Sequence, residues 1–150
     1  VVQVADCLPV LITEKTGKAV AAVHCGWRSL ADGILQKTIA RLNERLGGEH
    51  EYLAWMGPRI GDDDFETCED VLKAMQQHLP QASDAFKAKG DGKYLASLTT
   101  LAAQALAQVG VTETVIARHS TYANADLFYS FRRDETTGRH AAMIWIKGEA

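Results

Sequence analysis

Apolar and polar positions alternate in blocks whose period changes along the chain. Leu8 to Thr13 is short and apolar, Glu14-Lys15-Thr16-Gly17-Lys18 carries turn chemistry, and Ala19 to His24 is apolar again, a pattern that predicts a β-hairpin. Beyond Gly26 the period becomes helical: Leu30, Ile34, Leu35, Ile39, Leu42 and Leu46 share one face. Gly47-Gly48 supplies the stop, and Ser29 is the expected N-cap.

Tyr52 to Met56 predicts a third strand, closed by Gly57-Pro58 and followed by a loop from Arg59 to Asp64. Glu66 to Leu79 reads as a helix, with Val71, Leu72, Met75 and Leu79 on one side. The polar stretch from Pro80 to Lys93, punctuated by Gly90-Asp91-Gly92, reads as a surface connection. Tyr94 to Val109 is Ala- and Leu-rich and ends at Gly110, which predicts a helix. Strands are expected over Val111–Arg118, Phe128–Phe131 and, after a turn at Thr137-Gly138, Ala141–Ile146. Hairpins interleaved with helices imply an α/β (α+β) domain in which mixed β-sheets are layered with α-helices.

The 150 residues fit one domain, 1–150. The opening Val1-Val2-Gln3-Val4-Ala5 reads as chain already inside a strand, so an amino-terminal part of the domain is expected to precede it. Hydrophobic residues at 47% and charged ones at 23% exclude a disordered or fibrous class. A net charge of −3, with basic residues scattered among acidic ones, argues against nucleic acid or an anionic membrane as partner and for a small molecule. No apolar run approaches the ~20 residues of a membrane span, and no secretory leader is evident, which sets a cytoplasmic expectation.

Three cysteines, Cys7, Cys25 and Cys68, form no C-x-x-C pair, so neither a disulfide framework nor a zinc ribbon is indicated. With the hairpin turn centred near Thr16-Gly17, His24 faces Pro9 and Cys7 lies two positions along on the same face. Such diagonal neighbours have Cα atoms roughly 7–8 Å apart, within the span of two ligands sharing one metal. Spacing alone leaves the plainer alternative open, a core cysteine and a satisfied strand histidine. Asp6 beside Cys7 is a candidate acid or base. Arg28, just beyond His24, could offer a guanidinium fork to a phosphate or carboxylate.

Ala5-Asp6-Cys7-Leu8-Pro9-Val10, Val23-His24-Cys25-Gly26-Trp27-Arg28, Gly57-Pro58-Arg59-Ile60-Gly61 and Phe128-Tyr129-Ser130-Phe131-Arg132-Arg133-Asp134 occur in that order. Together they closely resemble the YfiH-like family, whose members are described as laccase-domain or polyphenol oxidase proteins and as purine nucleoside phosphorylases. The resemblance runs over essentially the whole chain and implies that family's layered fold, related to cysteine-hydrolase-like proteins. It also implies a zinc site with Cys7 and His24 as two ligands and a third histidine from an upstream Gln-Val-His-Gly motif that would lie before Val1. This chain departs from the family in carrying Cys25 where Ala is common, and His119-Ser120 where a Cys-Thr pair is common. Cys68, His50, His78 and His140 read as ordinary helix, loop or strand residues.

The chemistry implied by the resemblance divides. The leading expectation is zinc-dependent conversion of purine nucleosides: phosphorolysis of adenosine, inosine or methylthioadenosine with phosphate as co-substrate, together with adenosine deamination. Arg28, Arg132 and Arg133 are then candidates for binding phosphate. A copper-dependent, laccase-like polyphenol oxidase is the alternative, set back by having only five histidines, of which His24 alone sits in a family motif. A further alternative makes Cys7 the nucleophile and His24 the base of a cysteine hydrolase acting in peptidoglycan-precursor editing.

Overall fold

The computed structural model describes residues 1–148. Its centre is a four-stranded mixed sheet in the order β3-β2-β4-β8, built from β2 (Leu8–Glu14), β3 (Val20–Cys25), β4 (Tyr52–Met56) and β8 (Glu113–Ile116). β2 runs antiparallel to β3 and to β4, while β4 and β8 are parallel. Alternate residues Leu8, Val10 and Ile12 of β2 are fully buried, as the period of a strand requires when one face carries the core. The hairpin turn is fastened by the buried Glu14 carboxylate, which accepts hydrogen bonds from the main-chain N–H of Thr16 (2.9 Å) and of Lys18 (3.1 Å).

The predicted helix from Ser29 is two helices. α1 (Trp27–Ala31) starts directly at the end of β3, and α2 (Ile34–Leu46) follows a break at Gly33, whose φ of 73° lies in the left-handed region that glycine tolerates. Ser29 is therefore inside α1; its hydroxyl donates back to the carbonyls of His24 (2.9 Å) and Gly26 (3.0 Å). α2 lays Leu35, Ile39 and Leu42 against β3 and against α4 (Leu98–Ala107), of which Leu101, Ala102, Ala105 and Leu106 are fully buried.

Between α2 and α4 the chain is more β-rich than its polarity suggests. Glu66–Cys68 forms strand β5 ahead of helix α3 (Glu69–Gln76), and the expected surface connection holds a 3-10 turn at Ala82–Ala85 and strand β6 (Phe86–Gly90). β7 (Lys93–Ala96) takes the first residues assigned to the long helix, because Ser97 caps α4 by accepting from Thr100 N–H at 3.2 Å. The resulting sheet, β5-β7-β6, is antiparallel throughout. Glu66 clamps it, meeting Lys89 at 2.6 Å and Lys93 at 2.8 Å.

The carboxy-terminal part also differs from expectation. Phe128–Phe131 is not a strand: it leads into a single helical turn, α5 (Phe131–Asp134), capped by Ser130 accepting from Arg133 N–H at 3.2 Å. The last strand is shorter and earlier than predicted, β9 (His140–Ala142), and it pairs antiparallel with β1 (Val2–Val4) as a separate ribbon. Met143, Trp145 and Ile146, read as strand from their hydropathy, are exposed. No helix among the described residues is long and apolar enough to cross a membrane.

The ribbon and the central sheet are joined by a bend at Asp6, a non-glycine residue held at φ 92°. Such a conformation costs ~1–3 kcal/mol and persists only where surrounding contacts determine it. Here they do. One carboxylate oxygen accepts from Thr121 Oγ1 at 2.6 Å; the other accepts from Ser130 Oγ at 3.0 Å and from the Arg132 main-chain N–H at 2.6 Å. The Asp6 carbonyl accepts from Ile60 N–H at 2.9 Å.

Replacing Asp6 by Ala strands these buried donors and is expected to destabilise the fold by about 3 kcal/mol, measured by denaturant unfolding. Lys89 and Lys93 hold the Glu66 carboxyl far below the ordinary range, at about 2. The stabilisation that this lowered pKa supplies is complete above the usual Glu pKa of ~4.3 and is lost as pH falls through about 2. Amide exchange of β6 and β7 in wild type should therefore stay slower than in Glu66→Gln at neutral and mildly acidic pH, and the two should converge in strong acid.

Candidate active site

The register of the hairpin is the one expected: His24 stands opposite Pro9, and Leu8 opposite Cys25. Cys7 itself lies just outside β2, in the bend at Ala5–Cys7, rather than in the strand. Its thiol fills the space beside Gly26, where an added Cβ would come within 3.1 Å of Cys7 Sγ. A bare glycine at the start of α1 is thus what lets the sulfur sit there. Burial pushes the Cys7 thiol up from its usual pKa, Asp6 pushes it further, and the guanidinium of Arg139 draws it part of the way back. Cys25 points into the core, and burial raises its thiol strongly, which removes it as a reactive group.

A cavity of about 200 Å³ opens beside Cys7, lined by Ala5, Asp6, Cys7, Trp27, Ile60, Phe65, Leu98, Phe131 and Arg132. A second, of about 350 Å³, shares Trp27, Phe65 and Arg132 with it and extends towards Cys68 and Lys93. The structure thus brings Cys7, Asp6 and Arg132 to one place, and Trp27 carries Arg28 above the same wall with the guanidinium 4.4 Å from the indole centroid. His24 is exposed and is not part of this lining.

The two neighbouring arginines have different surroundings. Arg133 donates to the carbonyls of Thr121, Tyr122 and Phe128 and pairs with Asp134 at 2.8 Å, so its fork is spent on holding the loop. Among the described residues the Arg132 guanidinium donates to the Glu66 carbonyl alone, at 3.2 Å, and lies 5.8 Å from the Phe65 ring. Asp6 is equally committed, since each carboxylate oxygen already accepts a hydrogen bond.

The floor of the site is locked from behind. Gly57 fits under Pro9 and Trp55, where a Cβ would meet ring atoms of both at 2.7 Å, and its N–H donates to the Pro9 carbonyl at 2.9 Å. The Arg59 guanidinium donates to the Ala117 carbonyl at 2.7 Å, and Ser120 Oγ accepts from Gly61 N–H at 3.1 Å while donating to Asp64 at 3.1 Å. Ser120, flagged only as a departure, is therefore the peg of the Gly57–Gly61 loop. His140, expected to be an ordinary residue, packs its ring against Phe128 with centroids 5.5 Å apart; burial lowers its pKa, while Asp6 and the Pro58 backbone act to raise it. Sequence reasoning missed Thr121 and Ser130 as anchors, and Phe65 and Phe131 as cleft residues. Of these only Ser130 and Phe131 fell in a motif.

A thiolate and an imidazole are donors that zinc and copper both accept, and a closed zinc site takes four ligands. Among the described residues no group of three or more His, Cys, Asp or Glu side chains converges. Cys7 and His24 therefore match the donor chemistry of such a centre in kind and fall short of it in number.

Residues 1–147 match the family described as multi-copper polyphenol oxidoreductase laccase. "Purine nucleoside phosphorylase YfiH" of Shigella flexneri is 44% identical over 145 residues, covering 97% of this chain and 58% of that protein. The purine nucleoside phosphorylase of Haemophilus influenzae is 40% identical, covering 98% and 60%. The chain thus spans about three fifths of the length of these relatives. Among solved structures, a Neisseria meningitidis protein superposes with a TM-score of 0.84 at 44% identity, over 92% of this chain and 56% of that one. YlmD from Geobacillus stearothermophilus gives 0.86 at 27% identity, over 91% and 53%. Over nearly its whole length, then, the chain belongs to the multi-copper polyphenol oxidoreductase laccase family that also holds the YfiH proteins.

Proposed function

We propose that the domain carries the larger part of a purine nucleoside phosphorylase site, and that the cleft beside Cys7 is where nucleoside and phosphate meet. The observation that carries this reading is the pairing of flat aromatic walls, Trp27, Phe65 and Phe131, with the guanidinium of Arg132 in one cavity next to Cys7. A purine is a flat, largely apolar heterocycle that aromatic side chains bind by stacking. Phosphate is the anion that a guanidinium fork best matches. The names of the relatives support the same substrates.

In phosphorolysis a phosphate oxygen forms a bond to the anomeric carbon of the ribose as the bond from that carbon to the base nitrogen breaks. The bonding pair leaves with the base, which takes up a proton. The chain contributes orientation: Arg132 and Arg28 hold the phosphate, and the aromatic walls fix the plane of the base. Asp6 serves as a positioning residue, setting Arg132 through its main-chain N–H and bridging the bend to Thr121 and Ser130. Cys7 and His24 would hold zinc together with a ligand from outside residues 1–148, and the ion would supply Lewis-acid polarisation of an oxygen in the cleft. Adenosine deamination and the use of methylthioadenosine belong to the same proposal as further reactions of one purine pocket.

Copper oxidation of phenols remains the second reading, favoured by the family description. The cysteine-nucleophile reading requires a lowered thiol pKa, whereas burial and Asp6 raise that of Cys7.

Purified protein is expected to release hypoxanthine from inosine only when phosphate is present, with ribose 1-phosphate as co-product. Cys7→Ser should lower zinc content and base release together, by at least about tenfold, as loss of even a supporting partner of a metal ligand does. Absence of base release at any phosphate concentration would count against phosphorolysis. Oxidation of a phenol that scales with bound copper would favour the laccase reading. Activity surviving exhaustive chelation but lost in Cys7→Ser would favour the nucleophile.

A further inference from the structure

Each of the three aromatic side chains that wall the Cys7 cavity carries an arginine. Arg28 lies 4.4 Å from the Trp27 ring, Arg132 lies 5.8 Å from Phe65, and Arg139 lies 5.8 Å from Phe131. The third of these belongs to none of the motifs that mark the rest of the site. It follows the turn at Thr137-Gly138, to whose carbonyls its Nη1 donates at 3.1 Å and 2.9 Å, so the guanidinium is steered by its own backbone.

The acidic groups near these arginines are already engaged. Asp6 is saturated by Thr121, Ser130 and the Arg132 N–H; Glu66 is held by Lys89 and Lys93; Asp134 is held by Arg133. Among the described residues, Arg28, Arg132 and Arg139 meet no carboxylate within ion-pair distance. In a chain whose net charge is −3, one arginine lining the cavity and two held on aromatic residues of its wall outnumber the single carboxylate, Asp6, that lines it. A low-dielectric pocket ringed in this way concentrates anions at its mouth. A guanidinium held over a ring face also keeps donors at its edge free for an oxyanion.

We propose that Arg139 is a ligand-binding residue of this cleft, completing with Arg28 and Arg132 a cationic rim for a phosphate dianion, whether inorganic or esterified to a sugar. The proposal deepens the phosphorolysis reading and rests on it only for the identity of the anion. In that reaction the same rim faces the incoming phosphate and then the sugar phosphate that leaves. Arg139 thereby takes the role that sequence reading gave to Arg133, whose fork is consumed by the loop.

The test is calorimetric titration of the chain with inorganic phosphate and, separately, with ribose 1-phosphate, for wild type, Arg139→Gln, Arg139→Lys and Arg133→Gln. Arg139→Gln is expected to weaken binding about tenfold, the loss of one charge-assisted hydrogen bond, while its melting temperature stays at the wild-type value. Arg139→Lys should recover part of the loss, and Arg133→Gln should lower the melting temperature instead. Loss in Arg139→Gln for either ligand supports the rim and identifies which phosphate it reads. Equal affinity in wild type and Arg139→Gln, or no binding of either ligand by wild type, overturns it. If Arg139→Gln melts early, the Arg139→Lys comparison decides: affinity equal to wild type supports a rim that needs only the charge at this position, and binding abolished together with stability overturns it. Phosphate binding that depends on Arg139 without any base release would leave the rim standing and remove phosphorolysis.

Discussion

The carboxylate of Asp6 is the constraint on which the rest of the site depends. It sits at the bend between β1 and the central sheet, in a backbone conformation that a side chain resists, and it collects donors from positions more than a hundred residues downstream. Folding must therefore bring the carboxy-terminal loop back onto the first ten residues before the bend is stable. Long-range closure of this kind is entropically slow and structurally decisive. Once made, it sets Cys7 against Gly26 on one side and Arg132 against Phe65 on the other.

The cleft illustrates how one sequence motif can be divided between support and contact. Arg132 and Arg133 are adjacent and chemically identical, yet one is consumed by carbonyls and Asp134 while the other faces the cavity. The single turn of α5 separates their directions, since neighbouring helical residues point to different sides. Glu66 does the same for the lysines: by engaging Lys89 and Lys93 it leaves the cationic character of the cleft to the arginines.

Much of the fold was legible from patterning. Strand period and turn chemistry located the β2–β3 hairpin and its register, with His24 opposite Pro9, and helical period located α2, α3 and α4. The misses share physical causes. Leu30 and Ile34 kept helical spacing across a glycine hinge, so periodicity could not show the break at Gly33. The β6–β7 hairpin is exposed on both sides along most of β6, leaving no alternation to read. Met143, Trp145 and Ile146 are apolar but not buried, so hydropathy overstated the last strand. In the site, Cys7, Asp6 and Arg132 line one cavity while His24 lies outside its lining, and Thr121 reaches Asp6 across a tertiary contact that carries no local signature.

The geometry at Asp6 also bears on how this protein can change over generations. The position makes two demands at once: a backbone tolerant of positive φ, and an acceptor-only side chain short enough to meet three donors. Glycine meets the first demand and lacks the acceptor, while asparagine meets the first and keeps the contacts only by reversing the Thr121 hydroxyl to accept and giving up the charge-assisted bonds of a carboxylate. Glutamate fails the first. Every single-residue route away from aspartate weakens the hinge, so drift in this family member has very little room at the base of the cleft.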